Sequence, residues 1–279
     1  MEDTHYISNS SKALRIISIT GGKGGIGKTT LSVNLAVAFA KLKKKVLLFD
    51  ADLGLANVDV MLGLHPVRTL HDVFSGECEL ADICIRGPHD IKIIPSASGM
   101  QKMADLSSAQ SVELIRSFSS LTDNIDVMII DLASGISNQV MDFTHAAQDI
   151  IVTICNDPSS LMDGYAVIKI LHQKYARSRF GIVVNKVKSP AEGYQVFSKF
   201  QDVTAKFISI NLNYLGYVPQ DDYISLAARE RVAIVDKFPQ ASSAIAINNL
   251  CQGIHRWRDE NSVMGGIQFF FDRLVKSAT

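Results

Sequence analysis

The sequence predicts an α/β fold, a mostly parallel, twisted sheet of about seven or eight strands with helices on both faces. Short apolar or β-branched runs recur along the chain, and most lack the alternation typical of a strand with one exposed face. Segments with helical periodicity separate these runs, as in a parallel sheet with crossover helices. The predicted strands are Arg15–Thr20, Val46–Asp50, Ile91–Pro95, Val127–Asp131, Asp149–Cys155, Phe180–Asn185 and Leu212–Pro219. The predicted helices are Thr30–Lys44, Ser107–Leu121, Asn138–Ala147, Ser159–Ala176, Ala191–Lys206 and Gln240–Arg258.

A glycine-rich run joins the first predicted strand to the first predicted helix. Residues 21–30 read GGKGGIGKTT, and within them residues 22–29 fit the phosphate-binding pattern G-x-x-x-x-G-K-T. Glycines allow the backbone to approach a polyphosphate, whose charge the amide groups and the helix dipole then attract. We predict that Lys28 contacts the β- and γ-phosphates and that the Thr29 hydroxyl ligates Mg²⁺. The pattern predicts a P-loop NTPase fold whose phosphate-binding residues are Gly22, Lys23, Gly24, Gly25, Ile26, Gly27, Lys28, Thr29 and Thr30.

The composition of the 279 residues argues against several classes of protein. Basic and acidic side chains number 28 each, so no net field draws the molecule onto nucleic acid, and we expect no direct nucleic-acid partner. The four cysteines show no C-x-x-C spacing, which favours reduced thiols over disulfides or metal ligands. The chain shows neither the apolar core of a signal peptide nor an apolar stretch of membrane-spanning length. We therefore expect a cytoplasmic protein.

The domain organisation follows from where the strand–helix alternation begins and ends. We predict one deviant Walker A ATPase domain over residues 14–260, a polar arm over 1–13, and a hinge with an amphipathic helix over 261–279. The pattern of the C-terminal helix leaves two alternatives, since its apolar face suits either docking on the core or a membrane interface. That apolar face consists of Ile267, Phe270, Phe271, Leu274 and Val275.

Acidic residues follow two of the buried strands. Val46–Asp50 is followed by Asp52, and Val127–Asp131 opens the sequence DLASG. Because the carboxyl ends of parallel strands meet at one edge of a sheet, these acids are expected beside the phosphate loop. We predict that Asp50 holds a water on Mg²⁺, that Asp52 orients the attacking water, and that Asp131 supports the metal.

Three motifs follow one another along the chain. They are a phosphate loop with an early lysine, Lys23, then D-A-D-x-G-x-x-N over residues 50–57, and D-x-x-x-G over residues 131–135. Together they resemble the MinD/ParA group of dimerising ATPases. Residues 50–63, DADLGLANVDVMLG, resemble in particular the FlhG/FleN branch, the regulators of flagellar number and placement. Leu132 departs from this pattern, because the family usually has a small polar residue there.

The resemblance implies roles for the residues of the phosphate loop. Lys23 would reach across a dimer interface to the phosphates bound by the other subunit. Lys28, Thr29 and Thr30 would hold phosphate and metal within one subunit. Such an arrangement links dimerisation to the γ-phosphate, so it implies ATP as the nucleotide and slow hydrolysis that acts as a timer.

The resemblance also implies roles outside the loop. Asn185 would read the adenine edge, with the turn formed by Pro219 and Asp221 closing over the base. Asn156 and Asp157 would lie at the dimer seam.

The implied function is that of a Mg²⁺-dependent ATPase that forms a homodimer with ATP and regulates flagellar number. The implied partner is a FleQ-like flagellar transcriptional activator. The FlhF GTPase is a further candidate, although the N-terminal arm shows no D-Q-A-x-x-L segment of the kind that stimulates it. Relatives end in membrane-targeting helices, which implies reversible peripheral association with the inner membrane, at the cell pole in some members.

Other functions remain open at this stage. A MinD-like septum-placement ATPase and a ParA-like DNA or cargo partition ATPase share the same motifs. A regulator that binds ATP without hydrolysing it is a further alternative. A metabolic or iron–sulfur member of the wider group would need paired interface cysteines, for which the four cysteines offer no motif.

Overall fold

The computed structural model describes residues 14–52, 57–96, 117–119, 121–122, 124–210, 212–257 and 273. Its strands form one eight-stranded sheet in the order β3-β4-β2-β5-β1-β6-β7-β8. All neighbouring strands are parallel except β3 and β4, which pair antiparallel at one edge. The strands are β1 Arg15–Thr20, β2 Val46–Ala51, β3 Ile85–Arg86, β4 Lys92–Ile94, β5 Val127–Leu132, β6 Asp149–Cys155, β7 Phe180–Val187 and β8 Leu212–Pro219.

Helices cover both faces of this sheet, because parallel strands need crossover connections. Two of the longest begin with a proline that follows a capping side chain, Asp157 before Pro158 and Ser189 before Pro190. The helices are α1 Lys28–Lys41, α2 Val58–Leu62, α3 Leu70–Phe74, α4 Leu80–Ile83, α5 Asn138–Ala146, α6 Pro158–Tyr175, α7 Pro190–Phe207, α8 Asp222–Arg229, α9 Ile234–Lys237 and α10 Ser242–Arg256.

The core lies on the two faces of the sheet. On one face α1, α9 and α10 pack around Phe39 and the side chains of Leu48 and Ile129. On the other face Phe49 contacts Phe118 and Phe143 edge to face. Every residue of β1, β2 and β5 is buried, as expected for strands of a parallel sheet that helices cover on both faces.

The structure differs from the prediction mainly in short elements. Helix α1 begins at Lys28 rather than Thr30, and the short helices α2, α3, α4, α8 and α9 were not predicted. Helices of four to eight residues carry too few periods for a clear pattern, and their buried apolar side chains belong to the hydrophobic core. Leu132, the departure from the family pattern, is buried in the core behind the β5 carboxyl end.

Several predictions concern residues outside the described part of the chain. These are the polar arm, most of the predicted helix Ser107–Leu121, and the apolar face of the C-terminal helix, Ile267, Phe270, Phe271, Leu274 and Val275. Among the described residues, none of the helices combines the length and the hydropathy that crossing a bilayer requires.

The last turn of helix α5 contains a partly buried histidine, His145. The ring of His145 stacks on Tyr175, with centroids 4.6 Å apart, and its buried Nδ1 has no hydrogen-bond partner among the described residues. Burial, together with the charges of Arg177 and Arg273, lowers the pKa of His145 to about 4. Asp142 accepts a hydrogen bond from the Tyr175 hydroxyl at 2.5 Å, which fixes the stacked ring.

Because of the lowered pKa of His145, we expect the protein to lose stability in acid. Because its pKa is about 4 when folded and near 6.5 when unfolded, the unfolded chain takes up the proton first as the pH falls through that window. We expect the free energy of unfolding to fall by about 1–2 kcal/mol more in the wild type than in His145→Phe between pH 7 and pH 4, after discounting for partial exposure. Denaturant titrations of both proteins at the two pH values measure this difference. An equal loss of free energy of unfolding in the two proteins would show that protonation of His145 is not coupled to unfolding.

Candidate nucleotide-binding site

The phosphate loop connects β1 to α1 in a conformation that depends on glycine. Gly27 has φ 90°, and a Cβ there would lie 2.4 Å from Nδ2 of Asn185. A Cβ on Gly22 would lie 2.4 Å from the Cβ of Asp163 on α6. The loop backbone therefore packs closely against neighbouring elements. The first backbone amides of α1 follow Gly27 directly, and amides at the start of a helix can bind an anion.

Lys28 is buried at the base of this loop. It is 6% exposed, and its Nζ donates to Ser134 Oγ at 2.6 Å and to the Lys23 carbonyl at 3.4 Å. Burial lowers the pKa of Lys28, while the charges of Asp131 and Asp52 oppose that shift. The ammonium group therefore lies in a poorly solvated position where an additional anion is favoured electrostatically.

Asp131 is the next-to-last residue of β5 and has no exposed surface. Its Oδ1 accepts from Ser32 Oγ at 2.8 Å, and its carboxylate also accepts from the Thr29 side chain. Its Oδ2 has no hydrogen-bond partner among the described residues. Burial raises the pKa of this carboxyl, since the two hydroxyls and the Lys28 charge offset the loss of solvent incompletely.

Asp50 lies beside Asp131 on the adjacent strand, where the two residues are register partners. It is fully buried, and its carboxylate accepts from the backbone amides of Asp52, Asn57 and Val58 at 3.1–3.2 Å. Burial raises the pKa of Asp50, and the charge of Asp131 raises it further. A cation between the two carboxylates would relieve both effects.

These residues fit a magnesium site. The Asp131 oxygen without a partner and the Thr29 hydroxyl are hard oxygen donors at the edge of the phosphate loop. No group of three or more His, Cys, Asp or Glu side chains with metal-binding geometry occurs among the described residues. Mg²⁺ usually takes one or two protein oxygens, with water and substrate phosphates completing its shell, so this donor set matches a metal that arrives with a nucleotide.

Asp52 lies just beyond the end of β2, as predicted. Its backbone amide is fixed by Asp50, and its carbonyl accepts from Ser96 Oγ. Its charge acts on both Lys28 and Asp131, so the structure brings it to the predicted acidic cluster.

Lys23 occupies the opposite, exposed side of the loop. Its Nζ donates to Asp157 Oδ2 and Ser159 Oγ, each at 2.6 Å, and its side chain remains 43% exposed. The hydrogen bond raises the pKa of Lys23, and with the hydrogen bonds from the Ser159 hydroxyl and the Ser160 amide it lowers the pKa of Asp157 to about 2. Asp157 also caps α6 through the Ser160 amide, so the early lysine is tied to the start of that helix within its own subunit.

Asn185 supports the phosphate loop directly. It is buried near the carboxyl end of β7, and its Nδ2 donates to the Ile26 carbonyl at 2.7 Å. The next residue, Lys186, has φ 59° and donates from Nζ to the Gly25 carbonyl at 2.7 Å. These two contacts connect the proposed base-binding strand to the phosphate loop, whereas contact of Asn185 with adenine stays a prediction.

The remaining predicted residues lie at the same edge of the sheet. Pro219 ends β8 opposite Val187, beside the strand that carries Asn185. Asp221 caps α8 through the Tyr223 amide, and its other oxygen accepts from residues 242 and 243 at the start of α10. Its carboxylate therefore joins two helices. Asn156 donates to Glu192 Oε1 at 2.6 Å on the surface.

Sequence reasoning missed two residues of this site, Ser134 and Lys186. Ser134 stands within the D-x-x-x-G motif and Lys186 directly follows Asn185, so their positions were visible but their contacts with Lys28 and Gly25 were not.

The comparisons with known proteins agree with this geometry. Residues 17–234 match the family described as the CobQ/CobB/MinD/ParA nucleotide binding domain. The chain belongs to this family. It is 43% identical over 267 residues to the antiactivator FleN of Pseudomonas aeruginosa, which covers 96% of this chain and 95% of that protein. It is 30% identical to the flagellum site-determining protein YlxH of Helicobacter pylori, over 94% of this chain and 90% of that protein.

A solved structure shows the same fold. The septum site-determining protein MinD from Pyrococcus horikoshii, complexed with Mg-ADP, superposes with a TM-score of 0.67 at 26% identity, over 86% of this chain and 96% of that chain. The predicted P-loop NTPase fold and the predicted membership of the MinD/ParA family, in its FlhG/FleN branch, are confirmed.

Proposed function

We propose that this MinD/ParA-family protein is a slow Mg²⁺-dependent ATPase that dimerises with ATP and restrains flagellar biosynthesis by binding a flagellar transcriptional activator. The observation that carries the proposal is that the two lysines of the phosphate loop lie in different environments. Lys28 is buried and faces the acidic cluster, whereas Lys23 is half-exposed at the loop surface.

The position of Lys23 supports dimerisation with ATP. Its partners Asp157 and Ser159 lie at the exposed start of α6, and surface ion pairs of this kind stabilise a structure little. Exchange of these contacts for the phosphates of a second subunit therefore costs little. A triphosphate offers more negative charge to the incoming lysine than a diphosphate, so hydrolysis weakens the interface.

Hydrolysis is assigned to the residues at the carboxyl ends of β2 and β5. Lys28 binds the phosphates, Asp52 orients the attacking water, and Thr29 and Asp131 hold Mg²⁺ with Asp50 behind them. When bound, Mg²⁺ supplies positive charge that neutralises the phosphate oxygens.

The flagellar role rests on the relatives. An antiactivator acts on an activator, so the 43% identity to FleN over nearly the whole chain favours a transcriptional activator as partner. The similarity to YlxH, named for flagellum site determination, favours the same process. Reversible peripheral association with the inner membrane is part of this proposal and depends on residues 267–275, outside the described part of the chain apart from Arg273.

Counting flagella tests this function. Deletion of the gene in its own organism is expected to increase the number of flagella per cell, and the wild-type gene is expected to restore the original number. A Lys23→Ala gene expressed at the same level is expected not to restore it. An unchanged number after deletion would contradict the flagellar role.

A further inference from the structure

Strand β7 contacts the phosphate loop with two consecutive side chains. Asn185 Nδ2 donates to the Ile26 carbonyl and Lys186 Nζ donates to the Gly25 carbonyl, each at 2.7 Å. Consecutive side chains of a regular strand point to opposite faces of the sheet, so they would not reach the same loop. The backbone of β7 therefore departs from regular strand geometry at this point.

This departure is centred on Lys186. Its φ of 59° is left-handed, and the pairing of β7 with β8 shifts in register between Asn185 and Val187. The Lys186 backbone amide donates to Asn185 Oδ1 at 2.8 Å. An irregularity of this kind changes the direction of a side chain, although left-handed backbone is unfavourable for residues other than glycine. Such strain is typical of functional sites, and here it brings the Lys186 ammonium group to the phosphate loop.

The two contacts fix two consecutive peptide units of the loop. All the described peptide bonds are trans, so the N–H of each unit points away from its carbonyl. Because the Gly25 and Ile26 carbonyls accept from β7, the amides of Ile26 and Gly27 point away from that strand. Neither amide donates a hydrogen bond to any acceptor in the described part of the chain. Successive backbone amides that are available in this way form an anion-binding concavity.

We propose that Lys186 is a positioning residue whose ammonium group holds the Gly25 carbonyl and thereby presents the Ile26 amide to the polyphosphate of a bound nucleotide. This inference rests on the proposed ATP binding and adds a residue to it. The positive charge contributes as well as the direction. A charged donor on the carbonyl polarises the peptide unit, which makes its N–H a stronger hydrogen-bond donor.

The position of this contact at the surface limits its effect. Lys186 and Gly25 are both exposed, so water can bond to the Gly25 carbonyl in a variant that lacks the ammonium group. Such a variant loses the charge and the fixed direction of one peptide unit, while Asn185 still holds the Ile26 carbonyl. We therefore expect a moderate loss of phosphate binding with the fold retained.

Titrations of the full-length wild type, Lys186→Met and Lys186→Arg with fluorescent mant-ATP and mant-ADP test this role. Tripolyphosphate, which lacks the base and the ribose, serves as a competitor. We expect Lys186→Met to bind all three about three- to tenfold more weakly than the wild type. Lys186→Arg keeps a charged donor and is expected to restore most of the affinity. Lys188→Met, which removes an exposed lysine two positions further on, is the matched control and should bind like the wild type.

Two further measurements separate positioning from other roles. The loop amides hold the phosphates in the ground state and in the transition state alike, so Lys186→Met should raise KM for ATP and leave kcat within about twofold of the wild type. The loss of affinity should also persist between about 0.1 M and about 0.5 M KCl, because salt screens distant exposed charges rather than a hydrogen bond to a carbonyl.

Unchanged mant-ATP binding by Lys186→Met would overturn the inference and leave the proposed ATP binding intact. Unchanged tripolyphosphate binding beside weaker mant-ATP binding would also overturn it, since Lys186 would then act on the base or the ribose. A loss that disappears at high salt would show an attraction between distant charges instead of a positioned amide. A wild-type protein that does not bind mant-ATP would overturn the proposed function and this inference together.

Discussion

Replacing Asp52 with alanine is expected to lower the rate of ATP hydrolysis by about 10²–10⁴-fold. Asp52 is the first residue beyond β2, and its amide is fixed by the buried carboxylate of Asp50 at 3.1 Å. Its charge acts on Lys28 and Asp131, the residues proposed to bind the phosphates and the metal. A carboxylate that orients the attacking water acts in the transition state, so ATP affinity should change by less than about fivefold.

Steady-state phosphate release at saturating ATP and Mg²⁺ measures this rate, and equilibrium titration measures the affinity. Asp202→Ala, which removes an exposed carboxylate from α7, is the matched control and should hydrolyse ATP at the wild-type rate. A decrease of less than about tenfold in Asp52→Ala would show that another group orients the water.

Replacing Lys28 with methionine is expected to weaken ATP binding by at least about 100-fold. The ammonium group is the buried cation of the phosphate loop, and the two carboxylates behind it have raised pKa values because of burial. Loss of its charge leaves the phosphates facing Asp50 and Asp131 with less compensation. The lost attraction to Lys28 and the added repulsion from the carboxylates therefore both weaken ATP binding.

The same substitution should leave the fold intact. Burial of Lys28 costs solvation, as its lowered pKa shows, so a methionine of similar length should keep the free energy of unfolding within about 1 kcal/mol of the wild type. Isothermal titration with ATP and denaturant unfolding measure the two effects. Lys45→Met, an exposed position after α1, is the control and should bind ATP normally. Retained affinity in Lys28→Met would mean that the phosphates bind elsewhere.

Much of the site could be predicted because it depends on local sequence. Buried apolar runs that end in Asp50 and Asp131 fix both the strands and the edge where their carboxylates meet. The glycine pattern similarly determines the phosphate loop, since Gly27 requires a positive φ. The predicted start of α1, Thr30, is two residues later than the observed start. Lys28 and Thr29 show no apolar periodicity, but they continue directly from the Gly27 turn into the helix.

The contacts between site residues that are distant in the sequence could not be predicted. Lys23 meets Asp157 across 134 positions, and Asn185 reaches Ile26 across 159. Ser134 approaches Lys28 across 106 positions. Such pairs depend on how strands are ordered in the sheet, and no local pattern records that order.

The central claim is that ATP joins two copies of this chain through Lys23. Light scattering coupled to size exclusion tests it most directly, with Asp52→Ala used to preserve bound ATP. We predict twice the 30.5 kDa of one chain with ATP and Mg²⁺, a single chain with ADP, and a single chain for Asp52→Ala/Lys23→Ala with ATP. A monomer with ATP, or a dimer that is indifferent to nucleotide and to Lys23, would contradict the account.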